Sequence, residues 1–380
     1  MARQPASDPA ATVAAGAADV ADAALEARLA EDVDRETLLV YADLLQRRGD
    51  PRGELIVLAL AADTERAANP KARGPKQLAY TKHFVKHAPT LLGRLARHVD
   101  DVRIPDAPPL IWRGGFIDRI QLASSPKRDV GAIVQEVLAH PSGRFVRSLA
   151  LRIDHDSEAR AVLGAIETHR PPLRELELFA KAPLTGLSRI WPLVPRLEVL
   201  SLTAHSFDLG TPGAGELALP TARRVRLFGL VLSPDNLAAI VAAPWPVLER
   251  LELRLGGALV GRSLDFEDLE PLLQRRDLPR LTHLKIRKAV FAGAILRTLA
   301  TAPLGAQLEV IDLAHGALNP RDTIVVAEHR AHFANLRELW VPTRYLSPDD
   351  IARLSGLAKH VIDDRRAPVD RLGEELGAPD

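Results

Sequence analysis

Between residues 117 and 341 apolar side chains return in one spacing: an apolar residue, two variable ones, an apolar residue, one variable, an apolar residue. Ile117-Ile120-Leu122 opens the series, and Val146-Leu149-Leu151, Leu173-Leu176-Leu178 and Leu197-Leu200-Leu202 follow. Ala222-Val225-Leu227, Leu248-Leu251-Leu253, Leu281-Leu284-Ile286, Leu308-Ile311-Leu313 and Leu336-Leu339-Val341 complete it. Alternation inside the motif predicts a short strand with every second residue buried. Recurrence at intervals of 24 to 33 residues predicts a solenoid, in which each unit buries its apolar face by stacking on the next.

Between strands the chain reads as loop, helix, loop. Leu232-Ser233-Pro234-Asp235 and Leu346-Ser347-Pro348-Asp349 repeat one helix start almost literally. Serine caps free N–H groups, proline suits the first turn, and aspartate suits the positive helix end. Pro172, Pro195, Pro246 and Pro279 stand shortly before strands, where a helix must already have ended. The interval from 248 to 281 is long and predicts an insertion around Gly261–Glu267.

Ahead of the repeats, residues 25–110 read as helical. Glu36 to Arg48 places Leu38, Leu39, Ala42 and Leu45 on one side, with Asp34 as N-cap and Gly49 at the C-terminal glycine position. A turn through Gly49-Asp50-Pro51-Arg52-Gly53 leads to an apolar segment, Glu54–Ala62, and a third helical region covers Lys76–Arg97. The expected organisation is an alanine-rich disordered tail (1–24), a helical domain (25–110), the solenoid (111–358) and a polar end (359–380).

Composition narrows the classes. Apolar residues make up 47% of the 380 but aromatics only 4%, so aliphatic side chains must fill the core. Fifty Lys and Arg against 49 Asp and Glu give a net charge of +1, so any electrostatic recognition comes from local clustering. The absence of cysteine excludes disulfides, thiolate metal sites and cysteine nucleophiles. No apolar run reaches the ~18–20 residues of a membrane span, and the first residues do not read as a secretory signal. A cytoplasmic location is expected.

The strand motif resembles the leucine-rich-repeat (ribonuclease-inhibitor-like) family over about two thirds of the chain. That resemblance implies an α/β fold, a right-handed curved solenoid of about nine β-loop-α units with strands on the inner wall. One departure is plain. The family often carries asparagine or cysteine eight residues after the first leucine, where it ladders with neighbouring backbones; here the positions run from Ser125, Asp154 and Lys181 to Arg344 with neither residue. The turns must be satisfied in another way. A second resemblance covers Leu39-Val40-Tyr41-Ala42-Asp43 through Gly49-Asp50-Pro51-Arg52-Gly53-Glu54, and Trp112-Arg113-Gly114-Gly115-Phe116. These strings are similar to a bacterial repeat-companion domain, an architecture without an assigned reaction. The expected role of 25–110 is to cap the solenoid end, with Asp43, Arg47, Asp50 and Arg52 holding its helix pair together. Recruitment of a partner by the same cluster is the alternative.

Residues between the leucines face the strand surface, which the resemblance makes concave. The middle strands collect Arg224, Arg226, Arg250, Arg254, Lys285 and Arg287 against a single acid, Glu252. Phe228 lies beside them and Trp340 farther along. Arginine with aromatics is the composition of binding hot spots. The expectation is therefore a non-enzymatic protein-interaction module, a scaffold binding the acidic surface of a partner protein through these eight residues, with no cofactor or metal. The bland alternative is a solvated sheet face. Six like charges at strand spacing repel, so the band needs an offset. Two further readings are single-stranded nucleic-acid binding through the basic band, which the neutral total charge argues against, and regulation of a small GTPase.

No enzyme signature stands out. His83 and His87 have metal-ligand spacing, but Phe84-Val85-Lys86 between them holds no glutamate. Gly114-Gly115 lacks the Gly-Lys-Ser/Thr of a phosphate loop, and the serines lack a nucleophile elbow.

Overall fold

The computed structural model describes residues 22–70, 74–105, 107–211, 217–230, 232–256 and 264–363. Most of the expected N-terminal tail and of the polar C-terminal end, and Gly261–Ser263 of the expected insertion, lie outside the described residues. The chain divides into two compact units, one made of residues up to Gln121 with Glu136–Val146, the other of Leu122–Gln135 with Arg147 onward.

The first unit is built on helices α1 (22–31), α2 (Arg35–Arg47), α3 (Pro51–Ala68) and α4 (Pro75–Leu92). Asp34 caps α2 by accepting from the Thr37 N–H at 2.7 Å. Gly49 then turns the chain at a φ of +71°, which an L side chain resists. Asp50 caps α3, Pro51 fills its first turn, and the Asp50 carboxylate also takes the Arg52 side chain at 3.0 Å. Gly53 lets α3 lie against α2, since a Cβ there would sit 2.5 Å from the Ala42 carbonyl oxygen. The Gly-Asp-Pro-Arg-Gly string is thus a helix-hairpin device. Of the four charges expected to hold it, Asp50 and Arg52 pair, whereas Asp43 and Arg47 are exposed on α2.

Tyr41 is buried in the same unit. Its hydroxyl donates to Glu26 at 2.6 Å and accepts from Arg144 at 2.8 Å. Burial, and then the Glu26 hydrogen bond, hold its ionisation far above the usual phenol range. Its ring lies 6.0 Å from Phe116 and 6.2 Å from Phe145. Strand β1 (Leu110–Arg113), which the periodicity does not predict, pairs antiparallel with β2 (Phe116–Ala123). Gly114 and Gly115 both have positive φ, as a tight hairpin turn requires. The first copy of the motif therefore sits on a hairpin. α5 (Val130–Ala139) contributes residues to both units.

The second unit is an open α/β solenoid. Its strands are β3 (Ser148–Ile153), β4 (Glu175–Ala180), β5 (Val199–Ala204), β6 (Arg224–Gly229), β7 (Arg250–Arg254), β8 (His283–Arg287), β9 (Val310–Asp312), β10 (Glu338–Val341) and β11 (His360–Asp363). Each pairs in parallel with the next. β11 extends the array into the segment expected to be a polar end, because β10 still offers a free edge of N–H and C=O groups to pair. The register stacks the middle apolar residue of each motif into one column, Leu149, Leu176, Leu200, Val225, Leu251, Leu284, Ile311 and Leu339, all fully buried. Truncating any of these leucines costs ~2–5 kcal/mol.

Helices α6 (Asp156–His169), α7 (Pro234–Ala242), α8 (Phe266–Leu273), α9 (Ala292–Leu299), α10 (Pro303–Gln307), α11 (Pro320–Glu328) and α12 (Pro348–Leu354) return the chain between strands. The β-loop-α unit is not uniform. Between β4 and β5 there are only two 3₁₀ turns, at Leu187–Arg189 and Trp191–Leu193, because Pro183, Gly186, Pro192 and Pro195 interrupt any longer helix. No helix occurs between β5 and β6 among the described residues.

The missing asparagine ladder has a substitute at the third residue of the returning helices. Glu158 of α6 is 5% exposed, and its carboxylate accepts from the Ser124 hydroxyl and Val130 N–H of the preceding unit, both at 3.0 Å. Asn236 of α7 accepts from Leu209 N–H at 2.9 Å and donates to the Phe207 carbonyl at 2.6 Å. Asp322 of α11 pairs with Arg297, and Asp350 of α12 accepts from Thr323 at 3.2 Å. Asp322 and Asp350 also bond the N–H of their own cap residue, closing capping boxes. In these four units one polar side chain ties the helix start to the unit before, and Glu158, like Asp322 and Asp350, also bonds the N–H of its own cap residue.

Candidate functional site

Alternation along the strands of the second unit sends two or three residues per strand to the face away from the leucine column, and the parallel register aligns them as rows across the sheet. The first row runs Glu175, Val199, Arg224, Arg250, His283, Val310, Glu338. The second runs Glu177, Ser201, Arg226, Glu252, Lys285, Asp312, Trp340. The third runs Arg152, Phe179, Thr203, Phe228, Arg254, Arg287.

The basic band expected from the middle strands is largely compensated in this register. In the second row signs alternate: Glu252 takes Lys285 at 3.0 Å and lies 4.0 Å from Arg226, and Asp312 is the next acid along. Arg226 is the most open of these, with its guanidinium stacked 4.2 Å from the centre of the Phe228 ring. In the third row Arg287 donates twice to the Asp312 carboxylate, at 2.7 and 3.0 Å. Arg254 is only 3% exposed and donates to the Gly229 carbonyl at 2.7 Å. Phe228 is 6% exposed and packs with Leu230 and Phe179. Arg254, Arg287 and Phe228, three of the expected contact residues, therefore make these contacts within the sheet. Trp340 is half-buried, with its indole N–H 3.4 Å from Glu338, two strands beyond Lys285.

Arg224 and Arg250 remain. They are register partners on β6 and β7 and both are exposed. Neither has a hydrogen-bonded or ion-paired partner among the described residues. His283 follows them in the row; burial first, and then the positive charge of Arg250, push its ionisation below the ordinary imidazole value.

Sequence reasoning missed a further row, at the residue before each strand. Arg174 pairs with Glu198 at 2.6 Å, Arg223 with Glu249 at 2.6 Å, and Arg337 with Glu309. The signal was available in the period itself, because Arg174, Glu198, Arg223 and Glu249 occupy one motif position in successive units and alternate in sign, with Glu309 and Arg337 following after Thr282.

The first unit holds a cleft of about 350 Å³ between α3, α4 and β1, floored by Ala59, Ala62 and Trp112 and rimmed by Asp63, Arg66 and Arg113. Its lining includes no histidine or serine. His83 and His87 stack at 4.5 Å, with His83 Nε2 3.0 Å from the Pro51 carbonyl, a tie between α4 and the start of α3. Among the described residues no group of three or more His, Asp or Glu side chains could hold a metal, and no helix is long and apolar enough to cross a membrane.

No protein-family model and no curated sequence matches the chain. Among solved structures, a structural-genomics protein from Bacteroides fragilis superposes over 65% of this chain and 74% of its own, at 17% identity and a TM-score of 0.52. An internalin from Listeria monocytogenes aligns over 72% of this chain and 94% of its own, at 15% identity and a TM-score of 0.28. The first likeness is one of fold alone.

Proposed function

We propose that the chain is a protein-interaction module whose exposed strand face, centred on β6 and β7, takes an acidic partner. The observation that supports it most is the pair of open, uncompensated guanidiniums at Arg224 and Arg250 on a rigid parallel sheet. Arg226 on its Phe228 platform borders the pair, and Lys285 stands one strand on. Exposed arginine on an ordered frame gives directional, charge-assisted hydrogen bonds at low entropic cost. The cleft of the first unit, with its mixed-sign rim, is not needed for this reading.

The test is capture from native lysate followed by cross-link mapping, comparing wild type with Arg224→Glu/Arg250→Glu after circular dichroism shows both folded. Partners captured by wild type, cross-linked to β6–β8 and lost in the variant support the reading. An unchanged set of partners defeats it.

A further inference from the structure

Resting on that reading, the pattern of charge compensation on the strand face specifies what the site accepts. Around Arg224 and Arg250 the cations are already occupied: Arg223 by Glu249, Lys285 by Glu252, Arg287 by Asp312 and Arg254 by the Gly229 carbonyl. Arg254 and Arg287 are also register partners, but each is satisfied within the sheet. Among the described residues of these rows Arg224 and Arg250 are the like-charged pair in direct register across adjacent parallel strands that lacks such compensation, ~4.8 Å apart at the backbone. Such a pair repels and lowers stability. An anion bound between the two relieves that repulsion.

The geometry favours one compact dianion. A carboxylate brings one negative charge to two guanidiniums, and two carboxylates crowded into the same gap repel each other. A phosphoryl monoester places about −1.5 to −2 charges and three acceptor oxygens on a single centre, enough to meet both guanidinium forks. Nucleic acid is the poorer match. Its diester charges come singly and at intervals and need a track of free cations, whereas the flanking cations on this face already hold an acid, a carbonyl or, for Arg226, an aromatic ring.

We propose that Arg224 and Arg250 together form a subsite for the phosphoryl group of a phosphorylated serine or threonine on an extended segment of a partner protein.

The experiment measures binding of the full chain to fluorescent degenerate peptide pools centred on phosphoserine, on serine or on a Glu-Glu pair, and to labelled oligothymidine. The phosphoserine pool should bind best. Arg224→Ala and Arg250→Ala should each weaken it by roughly tenfold or more. Arg223→Ala removes the same formal charge one residue away but from a compensated pair, and should change binding by less than about twofold. Equal losses from Arg223→Ala and Arg224→Ala would mean that a diffuse positive field, not a subsite, binds the peptide. Equal affinity for the serine or Glu-Glu pool, or tighter oligothymidine binding, also overturns the proposal. A second readout is the His283 ring titration by NMR. The groups that set it are Arg250, Lys285, Glu309 and Arg337, and phosphoserine bound at Arg250 should move it upward; no movement at saturating peptide contradicts the site. If no pool binds while Arg224→Glu/Arg250→Glu still loses a native partner, the phosphoryl assignment fails and the acidic-partner reading stands. If capture is also unchanged, both fail.

Discussion

Replacing Asp312 by alanine tests whether the strand face is held by desolvated charge or merely decorated by it. Asp312 is 1% exposed. One carboxylate oxygen takes both Arg287 donors, and the other accepts the Ala314 N–H at 3.0 Å. Ala314 is itself buried. The alanine variant strands a guanidinium that is largely shielded and orphans a buried N–H. Breaking a buried pair from one side costs ~3–5 kcal/mol, of which the orphaned donor accounts for about 1–3. Glu249→Ala removes the acid from Arg223, where both side chains are more than a third exposed, and should cost only ~0–1 kcal/mol. Urea titration followed by circular dichroism gives the totals, and hydrogen exchange shows whether β8–β10 open first, because stacked repeats need not unfold in one step. Asp312→Leu combined with Arg287→Met should recover the part of the loss that comes from the stranded charge, since an apolar pair needs no counter-charge, but not the part that comes from the orphaned Ala314 N–H. If Asp312→Ala and Glu249→Ala cost the same, burial is not what gives the Asp312 pair its weight and the reasoning fails.

Three further outcomes follow from the packing. Glu158→Ala removes the acceptor for Ser124 and Val130 and should cost ~2–4 kcal/mol in thermal or urea unfolding, with exchange at the Val130 amide rising most; protection unchanged there contradicts an inter-unit tie. Gly53→Ala drives a Cβ onto the Ala42 carbonyl and should destabilise by ~1–3 kcal/mol, whereas Gly164→Ala, with nothing within 4 Å of its Cβ position in α6, should stabilise by about 0.5–1 kcal/mol; matching signs would refute the close-approach argument. The Ser347 hydroxyl and N–H, and then Thr323 and Arg353, hold the Asp350 carboxyl below its ordinary value of 3.8. Its stabilising contribution is therefore complete above that value and is lost as pH falls beneath it toward the folded-state value. Amide protection of α12 should decay over that acid range in wild type and show no such step in Asp350→Asn.

Much of the fold was legible because its signals are local in sequence. The nine motif copies fall on β2 to β10, and Asp34, Gly49, Ser233 and Ser347 cap or turn where their chemistry suggests. β1 and β11 were hidden, since β1 closes a hairpin and β11 carries its pairing on backbone groups that any side chain permits. The substitute for the asparagine ladder was overlooked by one residue. In Ser-Pro-Asp-Asn and Ser-Pro-Asp-Asp attention went to the aspartate at the second helical position, which suits the helix dipole. The third position bridges to the preceding unit in both, and in Ser-Pro-Asp-Asp it also closes the capping box. Proline and glycine between β4 and β5 were visible, but the regular period masked their meaning.

The candidate site was legible in residue type and illegible in availability, and the reason is directional. Counting along a strand groups Arg224 with Arg226, and Arg250 with Arg254. Charge compensation in a parallel solenoid runs across strands, between residues about one period apart. Read that way, Arg226, Glu252, Lys285 and Asp312 form an alternating series, and so do Arg223 and Glu249. Each exposed pair in such a series is worth little by itself, ~0–1 kcal/mol, so stability alone is a weak reason for the alternation. On the proposed reading its larger effect is on specificity. A face whose cations each answer to a neighbouring acid has little left to offer an arbitrary polyanion, and the remaining uncompensated pair then carries selectivity that net charge would conceal. Arg224 and Arg250 break the alternation at directly opposed positions, where the break costs most. A binding site is the kind of place where a fold tolerates such a local conflict.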